Sequence, residues 1–262
     1  MDCGMIVFNA PAQIDSPSAS GFPSPLAAKP AGAIRSIALR GPAGRLEAVL
    51  NEGATDDEGA SVAPFAALVC HPHPAFGGTM HNKVVYHAMK VLNDPHWGFG
   101  WPVLRFNFRG AGLSEGVHDG QAEVDDVLAA LDWLHHEFAC PIVVAGFSFG
   151  AAMALAASCS SLQTGLAERL TPDLRALIAL GLPVQVDRRI YDYSFLHGTA
   201  IPKLFLSGDR DQFASPGQLT QVVASAAEPK QLIFIPAADH FFTDRLEPMQ
   251  QAIAGWLAEQ LS

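Results

Sequence analysis

The sequence is short of charge: only 16% of its 262 residues are Asp, Glu, Lys or Arg. Sixteen lysines and arginines face 26 acids, a formal net charge of −10, and the basic residues form no stripe. Nucleic acid and anionic membrane surfaces are therefore not expected as partners, which leaves a small molecule. Cysteine is equally scarce. The four present, Cys3, Cys70, Cys140 and Cys159, have no paired spacing, and three sit in apolar segments where a reduced thiol behaves as a small core residue. A disulfide scaffold is excluded and a reducing, cytoplasmic setting is expected. The apolar runs, such as 142–145 and 176–180, fall far short of the roughly 18 residues of a spanning helix. The opening MDCGMIVFNAPAQ has no cationic n-region and no long apolar core, so no secretory signal is expected.

What the chain has in quantity is hydrophobic residues, 49% of the total, with a mean hydropathy of +0.19. A large buried sheet in one domain accounts for both. Residues 1–33, rich in Ala, Pro, Ser and Gly without sustained periodicity, read as a loosely ordered arm, and 34–262 as the domain. Strands are predicted at 36–40, 46–50, 66–70, 103–107, 141–145, 176–180, 203–206 and 231–235. The first two flank Gly41-Pro-Ala-Gly44 as a hairpin. Most of the others are apolar on both alternations, as a sheet covered on both faces requires. Val124, Val127, Leu128, Leu131 and Leu134 mark one helical stripe, and Met249, Ile253, Trp256 and Leu257 another. The fold class is therefore α/β: an eight-stranded, mostly parallel open sheet with helices on both faces, and a ligand site at the carboxyl ends of the strands.

At residues 141–157 a strand runs into Gly146-Phe-Ser-Phe-Gly150 and then an Ala-rich helix. A serine in such a strained turn projects its hydroxyl above the sheet, and side chains two positions either side would collide, which explains glycine at both. A serine hydroxyl needs a base, and the base needs a carboxylate to hold its tautomer. Downstream, Asp209 and Asp211 follow the strand at 203–206, and His240 follows the strand at 231–235. His240 is the expected base. Asp211 is preferred over Asp209 as the acid because a Gly-x-x-Asp turn points it inward; Asp187 is a further candidate. Asp125 and Asp126 read as the solvated first turn of their helix.

Four motifs lie in order over roughly 170 residues: His71-Pro-His-Pro…Gly77-Gly-Thr-Met80, Arg109-Gly-Ala-Gly-Leu-Ser114, Gly146–Gly150 and Asp239-His-Phe-Phe242. Together they resemble a group of bacterial α/β-hydrolases close to dienelactone hydrolases and carboxylesterases. The resemblance implies the α/β-hydrolase fold and a Ser-His-Asp serine hydrolase, with Ser148, Asp211 and His240 in the order of that fold. It also implies an oxyanion hole made by the backbone N–H of Phe149 and one N–H from the loop after the third strand. Pro72 and Pro74 cannot donate, which leaves His73, then Phe76. Arg109–Ser114 lacks the sixth-position glycine of a dinucleotide loop and reads as support for the serine turn, so no cofactor is expected. The stretch 181–202 is too short for a large lid. Phe76, Trp101, Tyr191, Tyr193 and Phe195 are candidates to line an acyl or alcohol pocket. The expected partner is a small or short-acyl carboxylic ester. Two other readings are a metal-dependent hydrolase using His71, His73 and His81, with no metal expected on the main reading, and a non-catalytic hydrolase-like binding module.

Overall fold

A computed structural model describes residues 33–55, 61–159 and 173–261; the arm read over 1–33 lies, but for its last residue, outside the described residues. β1 (Ile34–Gly41) and β2 (Gly44–Asn51) form the expected antiparallel hairpin. They lead into β3 (Ala66–Cys70), α1 (Lys83–Asn93), β4 (Val103–Phe106), α2 (Glu123–Phe138), β5 (Ile142–Phe147), α3 (Phe149–Cys159) and β6 (Leu174–Leu180). A two-stranded ribbon, β7 (Gln185–Val186) with β8 (Arg189–Ile190), follows, then β9 (Lys203–Gly208), α4 (Pro216–Ser225), β10 (Lys230–Ile235) and α5 (Leu246–Gln260). The eight-stranded sheet has the order β1-β2-β4-β3-β5-β6-β9-β10. β2 pairs antiparallel with β4, and every pairing from β4 to β10 is parallel.

The alternation of each strand splits the core in two. Ile142 and Val144 of β5 join Leu68 and Phe106 against α2, α3 and α4, whereas Val143, Ala145 and Phe147 join Val69 and Ile178 against α1 and α5. Both faces of the central strands are thus removed from water, which is why they read as continuous apolar runs. All six residues of β5 are buried.

The acidic start of α2 departs from expectation. Asp125 is exposed, but Asp126 is fully buried: the backbone N–H and the Nε–H of Arg109 donate to its carboxylate at 3.0–3.1 Å, and Nη2 donates to Oδ1 at 2.7 Å. Asp126 falls on the inward face with Glu123, Val127, Ala130 and Leu134, so burial against a cation replaces solvation. The pair ties the loop after β4 to α2. Between β6 and β9 there is only the β7–β8 ribbon and one short 3₁₀ segment (Ser194–Gly198), so no large lid is present among the described residues. None of the helices among those residues is long and apolar enough to cross a membrane.

Candidate active site

Ser148 stands between β5 and α3 at φ +54°, in the left-handed region that an L-residue enters only under constraint. Its N–H donates to Leu180 O at 2.8 Å, and its carbonyl receives Ala151 N–H and Ala152 N–H, so the turn is held from both sides. A Cβ on Gly146 would sit 2.4 Å from Gly150 O, and one on Gly150 would sit 2.4 Å from His71 O. Only glycine admits that packing of turn, helix and β3.

The Ser148 hydroxyl lies 2.9 Å from His240 Nε2, and His240 Nδ1 lies 2.8 Å from Asp211 Oδ2. Asp211 also receives Phe213 N–H at 2.8 Å and the Ser207 hydroxyl at 3.1 Å, so its acceptor capacity is aimed by three donors. With Nδ1–H donating to the carboxylate, Nε2 presents its lone pair to the serine hydroxyl. The imidazole is 2% exposed and lies 4.6–5.2 Å from the rings of Phe213, Phe147 and Phe241. Those three faces keep bulk water from it. Asp209 and Asp187 are both exposed, and neither carboxylate bonds to His240. The loop carrying His240 is shaped by Asp239, whose Oδ1 accepts from Phe241 N–H and Thr243 N–H. Partial burial opposes ionisation of Asp239, but these hydrogen bonds override it and hold the carboxyl below its usual range.

The loop after β3 folds back on itself. His73 caps the short turn Pro74–Phe76, its Nδ1 accepting from Ala75 N–H, and its carbonyl accepts from Phe76 N–H and Gly78 N–H. Phe76 N–H is therefore used within the loop. Among the described residues no acceptor is hydrogen-bonded to His73 N–H or to Phe149 N–H. The two side chains are in contact, ring centroids 4.8 Å apart, which places these backbone segments side by side next to Ser148. Desolvation, reinforced by His118 and Arg189, pushes the His73 imidazole down to about 4, so it is neutral near pH 7. His71 is a buried strut: it bridges Pro72 O at 2.6 Å through Nδ1 and accepts Phe108 N–H at 2.9 Å through Nε2. Both nitrogens are committed, so His71 has no lone pair for the metal cluster considered with His73 and His81. No group of three His, Cys, Asp or Glu side chains among the described residues is placed to hold a metal ion.

A cavity of about 120 Å³ opens beside Ser148 and His240, lined mainly by apolar groups. Of the aromatic residues expected there, Phe76 and Tyr191 line it and the others do not. Trp101 is buried against Phe65 and Phe99 under the other face of the sheet, because it precedes β4 and so lies at the amino end of that strand. Tyr193 is turned inward with its hydroxyl donating to Pro183 O at 2.6 Å, and Phe195 packs against the core. Lining residues without a sequence signal of their own are Val186, from the ribbon, with Phe213 and Phe241. The last two are neighbours of Asp211 and His240 in sequence, a clue available from adjacency. The ribbon is pinned over the site by Arg189, which stacks 4.5 Å over the Tyr191 ring and donates to Gly120 O at 2.6 Å.

Comparison with known proteins agrees with this fold. The model of the alpha/beta hydrolase domain family matches residues 76–253. The chain is 38% identical over 229 residues to the uncharacterized protein RP471 of Rickettsia prowazekii, covering 84% of this chain and 87% of the relative. A structure described as an alpha-beta serine hydrolase homologue from Coxiella burnetii superposes with a TM-score of 0.70 at 31% identity, over 85% of this chain and 97% of its own. XC6422 from Xanthomonas campestris, described as a serine hydrolase of this fold without a lid, follows at 0.69 and 28%, over 86% and 94% of the two chains.

Proposed function

The chain belongs to the alpha/beta hydrolase domain family, and on that premise we propose that it is a serine hydrolase cleaving small or short-acyl carboxylic esters through an acyl-enzyme. The observation that carries this reading is the hydrogen-bonded line Ser148 Oγ, His240 Nε2, His240 Nδ1, Asp211 Oδ2, with steps of 2.9 and 2.8 Å. His240 removes the hydroxyl proton as Ser148 Oγ attacks the ester carbonyl carbon. Asp211 steadies the imidazolium that forms. The carbonyl oxygen becomes an oxyanion and accepts from Phe149 N–H and His73 N–H. Neither donor has another acceptor to give up among the described residues, which supports their use on a developing negative charge. His240 then returns the proton to the departing alkoxide, leaving Ser148 acylated. In the second half His240 takes a proton from water as the water oxygen attacks the acyl carbon, then gives that proton to Ser148 Oγ as the acid departs.

The size of the cavity supports a small substrate: about 120 Å³ is well below the roughly 300–1,000 Å³ that holds a drug-sized ligand. Its mouth is open, with Phe76 70% and Phe241 48% exposed, and no amphipathic flap covers it among the described residues. A fluorophosphonate probe should label Ser148 and fail to label Ser148→Ala. A p-nitrophenyl ester series should gain in kcat/KM over the first few carbons, each buried CH₂ contributing about 0.8 kcal/mol, and then level off. Probe labelling that survives in Ser148→Ala removes the nucleophile from this reading, and kcat/KM still climbing at decanoate removes the short-acyl preference.

A further inference from the structure

A second histidine–carboxylate pair stands behind the proposed oxyanion donors. Glu123 opens α2 on its inward face and is fully buried. Its Oε1 accepts from His118 Nδ1 at 2.7 Å and from Asp119 N–H at 3.0 Å. This shared oxygen holds His118 with Nδ1 protonated and the ring plane set, as a carboxylate does for any imidazole it faces. The His118 ring then meets His73 edge-on, centroids 4.5 Å apart at 74°, and Phe149 at 5.5 Å and 78°. One imidazole thus touches both residues proposed above as oxyanion donors. The loop carrying it is tied to α2 twice, here and through Arg109–Asp126. Glu123 and His118 line neither the cavity nor the Ser148–His240–Asp211 line, so the mechanism has left them without a task.

We propose that Glu123 and His118 are a positioning pair for the oxyanion hole, a role that rests on the serine-hydrolase reading above. The carboxylate orients the imidazole, the imidazole wedges against His73 and Phe149, and the two N–H groups are kept at the spacing the tetrahedral oxyanion needs. Neither side chain touches the reacting atoms. Their effect is confined to the transition state, because the ground-state carbonyl depends little on those donors.

The test uses the full chain with a short-acyl p-nitrophenyl ester, comparing His118→Ala, the near-isosteric Glu123→Gln, and the double variant. Each single variant should lose about ten- to a hundredfold in kcat, the scale of a sub-ångström misplacement, with KM within about twofold. The double variant should lose no more than the worse single one, since the two act as a unit. Affinity for a trifluoromethyl ketone, whose Ser148 adduct bears the same oxyanion, should fall by the same factor as kcat/KM. A purely structural role would lower Tm and leave kcat and the ketone affinity unmoved. Variants that melt normally and keep kcat within twofold overturn the proposal, as does a loss confined to KM. The wild-type rate and Ser148 labelling carry the parent reading, while the variant-to-wild-type ratio carries this one, so the two fail separately.

Discussion

Gly150→Ala gives the sharpest mechanical test of the site, because its effect can be worked from distances. The added methyl would lie 2.4 Å from His71 O and 2.5 Å from Cys70 O. An ordinary C···O approach is about 3.3 Å, so the end of β3 and the start of α3 must separate by roughly 0.9 Å. Both obstacles are backbone, and no rotamer change relieves them. Overpacking of this kind costs about 1–3 kcal/mol, a Tm loss of about 3–10 °C in a domain of this size. The functional loss should be larger in proportion. The displaced strand end leads directly into His73, and a misplacement near 1 Å costs about a hundredfold in rate. Gly255→Ala is the matched control: Gly255 lies in α5 with nothing within 4 Å of the new methyl. It should stabilise by up to about 1 kcal/mol, as alanine does in an exposed helix, and leave kcat/KM alone. Circular-dichroism melts and ester kinetics on the two variants decide the matter. A Gly150→Ala protein with wild-type kcat/KM would show that the contact between β3 and the serine turn does not govern the site.

Asp211→Asn should lower kcat by about 10³–10⁴-fold with folding intact, while Asp209→Asn and Asp187→Asn stay within about threefold; equal losses at either exposed aspartate would reassign the acid. Asp126→Ala strips a buried guanidinium of its partner and should destabilise by about 3–5 kcal/mol in urea unfolding, whereas a loss under 1 kcal/mol would mean that Arg109 finds another acceptor. Burial pushes the His71 imidazole down to about 3, against about 6.5 in the unfolded chain. Between those values the unfolded chain binds the extra proton, so the stability His71 contributes is whole above pH 6.5 and is lost as pH falls toward 3, with a slope of up to about 1.4 kcal/mol per pH unit. Melts from pH 7 to pH 4 should fall more steeply for the wild type than for His71→Gln; parallel curves would refute the assignment.

The strands were legible because their burial is a local matter: a run apolar on both alternations has one stable place, the middle of a covered sheet. All eight predicted strands are in the sheet. The β7–β8 ribbon, with two-residue strands, is too short to carry a period and escaped. The convergence of Ser148, Asp211 and His240 was legible for a related reason. Each sits just past the carboxyl end of a strand, where parallel topology brings distant segments together. The pocket wall is another matter, since it is a relation between loops set by packing. Trp101 could have been excluded on topology, because it precedes β4 and belongs to the far end of the sheet. Phe213 could have been included, because Asp211 accepts its N–H and holds it beside His240. Asp126 shows the limit of reading charge locally. Its position on the stripe of Val127, Ala130 and Leu134 already faces the core, and a buried acid must meet a cation. That cation, Arg109, lies 17 residues upstream in the loop after β4. An acid on the inward face of a helix is thus a prompt to look for its partner along the chain, and here the partner is also what anchors the loop that brings His118 to His73.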